Sequence, residues 1–316
     1  MTLRVLDPGL MTLLVDWGRP RTRSLGVAVG GAADRWALAI GNALVGNAAD
    51  TPALEIALSG PTLKADCEVA CVLYGAPFAL STDKRRLVAG KTFTLHADER
   101  LRIEATHAGM RAYFCVHGGF QAPEVLGSHS SLHLLQAGGE LLCQPSAIAT
   151  RFINSDFVWN RAPRKLRVLK GAQADWFSKE DFCSQQYEVS PASNRIGLRL
   201  EARPLAVPDR ELVSEPVCPG TVQVTRNGQC IVLGVDSQTI GGYPKIAQLI
   251  SADLDKLAQL RGGERIEFQR VDLAEAEQLH EQKRTEMQEW LARLLSTHGQ
   301  CLPRLPSFCN ALAVDS

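Results

Sequence analysis

The chain has 316 residues, 34 basic and 34 acidic side chains, and a sequence pI near 7. This neutral balance argues against nucleic acid or an anionic membrane as the main partner, because both attract basic surfaces. No apolar run reaches the roughly 18 residues that a membrane span needs, and the length predicts one large domain or two of medium size.

The amino-terminal stretch MTLRVLDPGLMTLLVDWGRP predicts a strand and a turn. Arg4 and Asp7 interrupt its apolar part and no cleavage site of small residues follows, which argues against a signal peptide.

Short segments rich in Val, Ile, Thr and aromatic residues predict strands along most of the chain. In chain order they are CEVACVLYG, KTFTLHA, RLRIEAT, RAYFCVHGG, RKLRVLKG, TVQVT and QCIVLGV. Units of a turn followed by a strand recur at 96–105, 136–145 and 260–269. The recurrence favours two barrel-like halves, although any β-rich protein repeats such turns by chance.

Three segments are predicted to be helical. ADRWALAIGNALVGN contains the capping-type residue Asp34. A helix-like segment, IAQLISADLDKLAQL, follows Lys245, and within it SADLDKLAQL has Ser251 as a candidate N-cap. DLAEAEQLHEQKRTEMQEWLARLLSTHG begins with the capping-box-like pair Asp272 and Glu275. Its apolar stripe is Met287, Trp290, Leu291 and Leu294, and Gly299 suits the carboxyl-terminal stop. We expect this helix to pack on its own domain; docking to a partner chain is the alternative.

The basic cluster NRAPRKLRVLKG, which contains Pro163, separates two strand-rich halves. We therefore predict an amino-terminal lobe over 1–163, a carboxyl-terminal lobe over 164–271, and a helix with a tail over 272–316.

The nine cysteines are odd in number and form no CxxC pair. Cys71, Cys115 and Cys230 lie within apolar runs, whereas Cys301 and Cys309 lie in the polar tail. This distribution predicts buried thiols in a reducing cytoplasm rather than a disulfide framework.

The stretch DSQTIGGYPK, residues 236–245, has an unusual concentration of polar side chains. Adjacent glycines permit positive φ and close approach to another group, and a lysine beside amide donors suits an anion. We assign candidate catalytic roles to Lys245, Tyr243 and Asp236, the last at the end of a buried strand. The alternative is a tight turn with a solvated lysine.

Two further clusters suit an anion because guanidinium groups bind planar anions bidentately. The first is DWGRPRTRSLGVAVGGAADRW, which contains Asp16, Arg19 and Asp34. The second is SNRIGLRLEARPL, where Arg195 and Arg199 share a face whether the segment is helical or extended. For the first cluster, the alternative is a surface loop held by Asp–Arg pairs. For the second, it is an exposed ladder of ion pairs.

Familiar catalytic templates are missing from the sequence, namely GxxxxGK[ST], strand–GxGxxG–helix, GxSxG and HExxH. His129 and His133 have i,i+4 spacing, but no third ligand is evident, so we predict no metal site.

The chain resembles the KipA/PxpC family, also known as the C-type subunits of 5-oxoprolinase, allophanate hydrolase subunit 2 or biotin-dependent carboxyltransferase-like proteins. The resemblance runs in order from about residue 3 to 270 through DPGLMTLLVDWGR, GGAADRWALAIGNALVGN, LEIALSGPTL, RAYFCVHGGFQAPEVLGSHSS, SNRIGLRL and the blocks from EPVCPGTVQV to LRGGERIEF, which include GGYPK. It implies a mainly β fold with some α, made of two cyclophilin-like β-barrel lobes plus a carboxyl-terminal helix.

The resemblance also implies an activity. The chain would be the C-type subunit of an ATP-dependent 5-oxoprolinase, which opens 5-oxoproline to L-glutamate with KipI/PxpB-like and PxpA-like subunits. ATP would be bound by a partner, since no nucleotide motif occurs here. Two alternatives follow from the same family. One is a non-catalytic regulatory subunit that binds a KipI-like protein. The other is a carboxyltransferase module that moves a carboxyl group from biotin to urea, although this chain has no biotin-accepting Ala-Met-Lys-Met motif.

The resemblance implies that residues 236–245 form the glycine-rich rim of a cleft between the lobes. Lys245 and Tyr243 would contact the substrate, and Asp236 and Gln238 would shape the loop. The implied substrate-binding set is Gln238, Thr239, Gly241, Gly242, Arg195, Arg199, Asp16, Arg19 and Asp34.

The chain also departs from the family pattern. Val15 replaces the Gln of the family's QDxGR block, and Ser128–Ser131 leads directly into LHLLQAGGELL, so most of a Gly-rich loop is missing. If that loop closes the substrate site, we expect weak or altered activity.

Overall fold

The computed structural model describes residues 1–153 and 165–296. The chain separates into two compact units. The first contains the described parts of 1–21, 34–160 and 287–316, and the second those of 22–33 and 161–286. Segment 22–33 thus joins the second unit, although it precedes most of the first in sequence. The predicted boundaries at 163/164 and 271/272 remain predictions.

Two antiparallel sheets make up the first unit. Its elements are β1 (Thr2–Asp7), β2 (Met11–Val15), α1 (Arg35–Leu44), β3 (Ala53–Ala57), β4 (Thr62–Ala65), β5 (Val69–Gly75), β6 (Phe78–Thr82), β7 (Arg86–Leu87), β8 (Phe93–Leu95), β9 (Arg100–Thr106), β10 (Arg111–Val116) and β11 (Glu140–Leu142). The strand orders are β11-β1-β4-β9-β6-β7 and β2-β3-β10-β5-β8.

The two sheets of the first unit share one hydrophobic core. Leu3 and Leu63 from one sheet join Ile56 and Phe114 from the other in this cluster. Strand β9 alternates exposed and buried residues over its first five positions, as expected for a strand with one face in the core. Burial of this apolar surface stabilises the unit by about 25 cal/mol per Å² removed from water.

The second unit is built around a closed barrel. Its elements are β12 (Lys165–Lys170), α2 (Lys179–Cys183), β13 (Tyr187–Val189), β14 (Gly197–Glu201), β15 (Glu215–Pro216), β16 (Thr221–Val224), β17 (Cys230–Leu233), β18 (Ile240–Gly241), β19 (Lys245–Leu249), α3 (Leu254–Leu257) and β20 (Arg265–Arg270). The barrel order is β12-β19-β16-β17-β14-β13-β20, and a parallel β12–β20 pair closes it. Strands β15 and β18 pair separately as a short ribbon.

The mainly β fold and the strands predicted from the seven apolar segments are confirmed. The first predicted helix is also confirmed, since Asp34 caps α1 by accepting a hydrogen bond of 2.9 Å from the Ala37 N–H. The predicted buried thiols Cys71, Cys115 and Cys230 are buried and form no disulfide. Burial raises the pKa of all three, that of Cys230 to about 12. Cys301 and Cys309 lie outside the described residues.

The helical prediction for IAQLISADLDKLAQL is wrong in its first part. Lys245–Leu249 is strand β19, because its apolar residues fill the barrel wall between β12 and β16. Ser251 is not an N-cap; it lies inside a 3₁₀ turn that follows Ile250, and its hydroxyl is 2.9 Å from Nδ1 of His280. Tertiary packing overrides local helix preference here.

The long carboxyl-terminal helix is confirmed as α4 (Leu273–Ser296). The Asp272 carboxylate accepts a hydrogen bond of 2.8 Å from the Glu275 N–H, which caps the helix as predicted. In its first half, Lys283 Nζ donates to the Asp255 carboxylate at 2.6 Å, so this half packs on the second unit. Gly299 and the tail lie outside the described residues. In the described parts of the chain, no helix combines the length and apolar character that crossing a membrane requires.

Candidate functional site

A polar group lies on the outer surface of the barrel where β16 and β19 meet. We call Gln173, Glu215, Gln223 and Lys245 the Lys245 cluster. Gln223 faces Lys245 in the antiparallel register. Val222 and Val224 belong to the barrel core, so the alternation of a strand directs the side chain of Gln223 to the opposite face.

The charge of Lys245 is neutralised within the cluster. Lys245 is 8% exposed, and its Nζ forms an ion pair with Oε2 of Glu215. Gln173 orients both partners: its Oε1 accepts the Lys245 backbone N–H at 3.0 Å, and its Nε2 donates to Glu215 Oε2 at 3.3 Å. The hydrogen bond from Lys245, followed by that from Gln173, holds the pKa of Glu215 below its usual value. Lys245 is therefore fixed in position and already paired with a carboxylate.

The ribbon of β15 and β18 supplies that carboxylate and covers the amide of Gln223. Glu215 faces Gly241 across the ribbon. A Cβ on Gly241 would lie 2.7 Å from Nε2 of Gln223, so a larger residue here would require the Gln223 side chain to shift. Neither Gly241 nor Gly242 adopts positive φ, so that part of the expectation is wrong, whereas the expected close approach occurs between Gly241 and Gln223.

The other predicted residues of 236–245 differ in their burial. Gln238 and Gly242 are exposed, and Tyr243 is 40% exposed. Thr239 is half-buried, and its carbonyl accepts the Val217 N–H at 2.9 Å, which extends the ribbon.

Asp236 and Arg195 form a closed pair. Nε and Nη2 of Arg195 donate to the two carboxylate oxygens of Asp236 at 2.6 and 3.0 Å, and Nη2 also donates to the Gly31 carbonyl at 2.7 Å. The bidentate contact joins Arg195 to Asp236, and the further hydrogen bond to Gly31 fastens segment 22–33 to the rest of the second unit. Arg199 is exposed on β14. The structure therefore brings Arg195 to a carboxylate and leaves Arg199 apart from it.

The predicted residues of the first unit also have internal partners. Asp16 accepts hydrogen bonds from the Gly18 N–H at 2.7 Å, from the hydroxyls of Ser128 and Ser130 at 2.6 and 2.5 Å, and from the His129 N–H at 2.6 Å. Arg19 Nη2 donates to the Ser130 carbonyl at 2.7 Å. Asp16 and Arg19 thus hold the segment where the sequence departs from the family pattern.

Asp34 combines its capping role with a buried network. Its backbone N–H donates to the Tyr113 hydroxyl at 2.8 Å, and Tyr113 donates to Glu55 at 2.8 Å. Burial, with the nearby carboxylate of Glu55, raises the pKa of Tyr113 well above its usual value.

Within residues 1–153 and 165–296, no three His, Cys, Asp or Glu side chains are arranged to hold a metal ion. Nδ1 of His129 is 2.8 Å from the Ala122 carbonyl oxygen. The Lys245 cluster itself offers a cation, a carboxylate and two amides.

Three members of the Lys245 cluster are not among the site residues predicted from the sequence: Gln173, Glu215 and Gln223. Glu215 opens the block EPVCPGTVQV, and Gln223 is the single amide in an otherwise apolar strand pattern. That polar residue in a strand was an available signal. Gln173 gave none, since it lies in a loop more than 70 positions from Lys245.

Comparisons with known proteins identify the family to which this chain belongs. Residues 25–270 match the model of the family described as the carboxyltransferase domain, subdomain A and B. The chain belongs to this carboxyltransferase family. Its resemblance to the C-type subunits of 5-oxoprolinase is also confirmed. The 5-oxoprolinase C-type subunit from Escherichia coli strain K12 is 36% identical over 287 residues, covering 87% of this chain and 93% of that protein. The corresponding Haemophilus influenzae protein, which has the same name, is 33% identical over 287 residues, with the same coverage.

Among solved structures, the carboxyltransferase family fold recurs in the urea amidolyase of K. lactis. The TM-score is 0.81 and the identity is 25%. The match covers 92% of this chain and 20% of that protein, so this chain corresponds to about a fifth of the amidolyase.

Proposed function

We propose that this chain is the C-type subunit of an ATP-dependent 5-oxoprolinase, which opens 5-oxoproline to L-glutamate together with KipI/PxpB-like and PxpA-like subunits. The observation that carries the proposal is the nearly full-length correspondence with two proteins named as C-type subunits of 5-oxoprolinase. Correspondence with the urea amidolyase is confined to a small part of that protein.

The Lys245 cluster supports a role in holding an anionic, amide-containing substrate. 5-Oxoproline carries one carboxylate and one cyclic amide. A lysine and two glutamine carboxamides offer a cation for the first and hydrogen-bonding groups for the second. We assign Lys245 to the substrate carboxylate, and Gln173 to the orientation of the lysine through its backbone N–H.

The reaction breaks the lactam C–N bond. Water supplies the oxygen of the new carboxylate, and the ring nitrogen leaves as the amine of glutamate. A lactam is a poor electrophile, and ATP supplies the activation. We assign ATP binding to a partner subunit, because the sequence contains no phosphate-loop motif. The residues of this chain position the substrate and stabilise negative charge as it develops.

The test is reconstitution. The chain is purified with its KipI/PxpB-like and PxpA-like partners, and release of glutamate from 5-oxoproline with ATP is measured with and without this chain. We expect turnover only in the complete mixture. Tight binding of the partners without any gain in turnover would contradict the enzymatic role and support the regulatory alternative.

A second candidate is carboxyl transfer from biotin, favoured by the family description and by the likeness to urea amidolyase. It requires a biotin carrier in trans. Adding a carboxylated biotin carrier with urea to the same preparation separates the two candidates, since transfer to urea without glutamate release would favour the second.

A further inference from the structure

Gln223 carries a buried amide that the fold leaves without a partner. The residue is 1% exposed, and within the described chain its Nε2 has no hydrogen-bond acceptor. Burying an unpaired amide costs free energy, so such groups are rare in native proteins. The barrel core does not require a glutamine at this place, because Gln223 faces away from it.

The amide of Gln223 and the ammonium of Lys245 point to the same short ribbon. Gln223 and Lys245 are opposite each other on β16 and β19, where Cβ atoms lie about 5 Å apart. Gln223 Nε2 approaches Gly241, Lys245 Nζ contacts Glu215, and Gly241 and Glu215 face each other across β15 and β18. One ribbon of two residue pairs therefore covers both groups.

We propose that Gln223 is a specificity residue whose carboxamide reads the amide of a cyclic substrate, while Lys245 holds the carboxylate of the same molecule. Within the Lys245 cluster, Glu215 occupies the place of that carboxylate until the ribbon lifts.

The chemistry of the ligand fits this placement. A lactam presents its N–H and C=O on one edge, and a primary carboxamide presents an acceptor and a donor on one edge, so the two groups can pair by two hydrogen bonds. Because Gln223 and Lys245 are opposite each other, their side chains can reach adjacent groups of one small molecule. The inference rests on the proposed function for the identity of the ring, 5-oxoproline, but not for the recognition of an amide next to a carboxylate.

The experiment is calorimetric titration of the full-length chain with 5-oxoproline and with cyclopentanecarboxylate, which keeps the carboxylate and lacks the amide. The wild-type chain is expected to prefer 5-oxoproline by at least about tenfold, the value of one good hydrogen-bonded pair. Gln223→Met is expected to abolish this preference and to leave cyclopentanecarboxylate binding unchanged. Lys245→Ala is expected to weaken both ligands.

Gln269→Met, at an exposed glutamine of β20, is the matched control and should bind as the wild type does. Gln223→Glu is the second variant; it keeps the shape and loses the donor, and thermal melting verifies that each variant is folded. An unchanged preference in both folded Gln223 variants overturns the proposal, as does a wild-type chain that binds no 5-oxoproline.

The two proposals fail separately. If the reconstituted complex releases no glutamate but the preference for the cyclic amide depends on Gln223, the oxoprolinase function is wrong and this inference stands. If the complex is active and Gln223→Met leaves KM for 5-oxoproline unchanged, the inference is wrong and the function stands.

Discussion

Asp16 in the first unit and Glu215 in the second are both carboxylates that hold a loop, but their surroundings differ. Asp16 is buried and accepts four hydrogen bonds from one short segment and its own turn. The Glu215 side chain is 39% exposed, contacts a lysine and one glutamine, and lies on a ribbon beside an unpaired amide. A carboxylate that accepts from four donors fixes a fold, whereas one with two partners can give up its place to a ligand.

The same contrast separates the candidate residues chosen from the sequence. Asp236 and Arg195 resemble Asp16, because their charges are used on each other and on Gly31. Exposure does not separate the two pairs, since the side chains of Asp236 and Glu215 are 36% and 39% exposed. The difference is that Arg195 also donates to Gly31, whereas Lys245 lies beside the amide of Gln223, which is unpaired within the described chain. Both pairs join a buried cation to a partly exposed carboxylate, so exposure alone predicts similar contributions to stability.

The largest expected effect is on catalysis. Lys245→Ala should lower kcat/KM for glutamate release by the assembled complex by about 10-fold to 150-fold, because it removes the cation assigned to the substrate carboxylate and a hydrogen bond to a charged group contributes about 1.5–3 kcal/mol. The chain should stay folded, because the ion-pair partner of Lys245 is the solvent-accessible Glu215. Steady-state kinetics and a thermal melt measure both outcomes. Lys179→Ala, at an exposed lysine of α2, is the control, and unchanged turnover in Lys245→Ala would refute the assignment.

Asp16→Ala should act on stability instead. The change leaves the hydroxyls of Ser128 and Ser130 and the N–H of His129 without their acceptor in a buried region. We expect the free energy of unfolding to fall by about 3 kcal/mol, since one unsatisfied buried polar group costs about 1–3 kcal/mol. Urea denaturation measures this, with the exposed Asp50→Ala as control. A loss below that of Asp50→Ala would mean that Asp16 does not hold the segment.

Glu215→Gln should have a small effect that depends on pH. The pKa of Glu215 is depressed from its usual 4.5, so its contribution is present above the unfolded pKa and is lost as the pH falls through the lower folded pKa. At neutral pH, the free energy of unfolding of the wild type should exceed that of Glu215→Gln by less than about 1 kcal/mol, as for other accessible ion pairs. Urea midpoints of the two proteins should then converge as the pH falls below 4.5. Divergence in acid would contradict the assignment.

Two buried serines give the finest comparison. Ser128 donates to Asp16, whereas the Ser237 hydroxyl has no hydrogen-bond partner in the described chain. Ser128→Ala should cost about 1 kcal/mol, and Ser237→Ala should leave the free energy of unfolding unchanged or raise it slightly. Equal losses of unfolding free energy in the two variants, measured by urea denaturation, would show that the Ser237 hydroxyl has a stabilising partner.

The sequence indicated most of the fold through local signals. Strands β5, β9, β10, β16 and β17 were recognisable as apolar runs between turn residues, and α1 and α4 from their caps and spacing. The helical prediction for Lys245–Leu249 fails, because five residues with apolar side chains at Ile246, Ala247 and Leu249 are too few to separate a strand period from a helix period. Its neighbours β12 and β16 decide its conformation through their hydrogen bonds.

Motifs and local patterns in the sequence were enough to recognise the family, the strand-rich character of both halves, and the concentration of polar residues near Lys245. Only the tertiary structure decided which of those residues meet. It joined Gln173, Glu215 and Gln223 to the lysine from positions 72, 30 and 22 residues away, and it paired Arg195 with Asp236 instead of Arg199. The physical reason is that strand register and barrel closure set distances between side chains, and both depend on hydrogen bonds between segments distant in sequence.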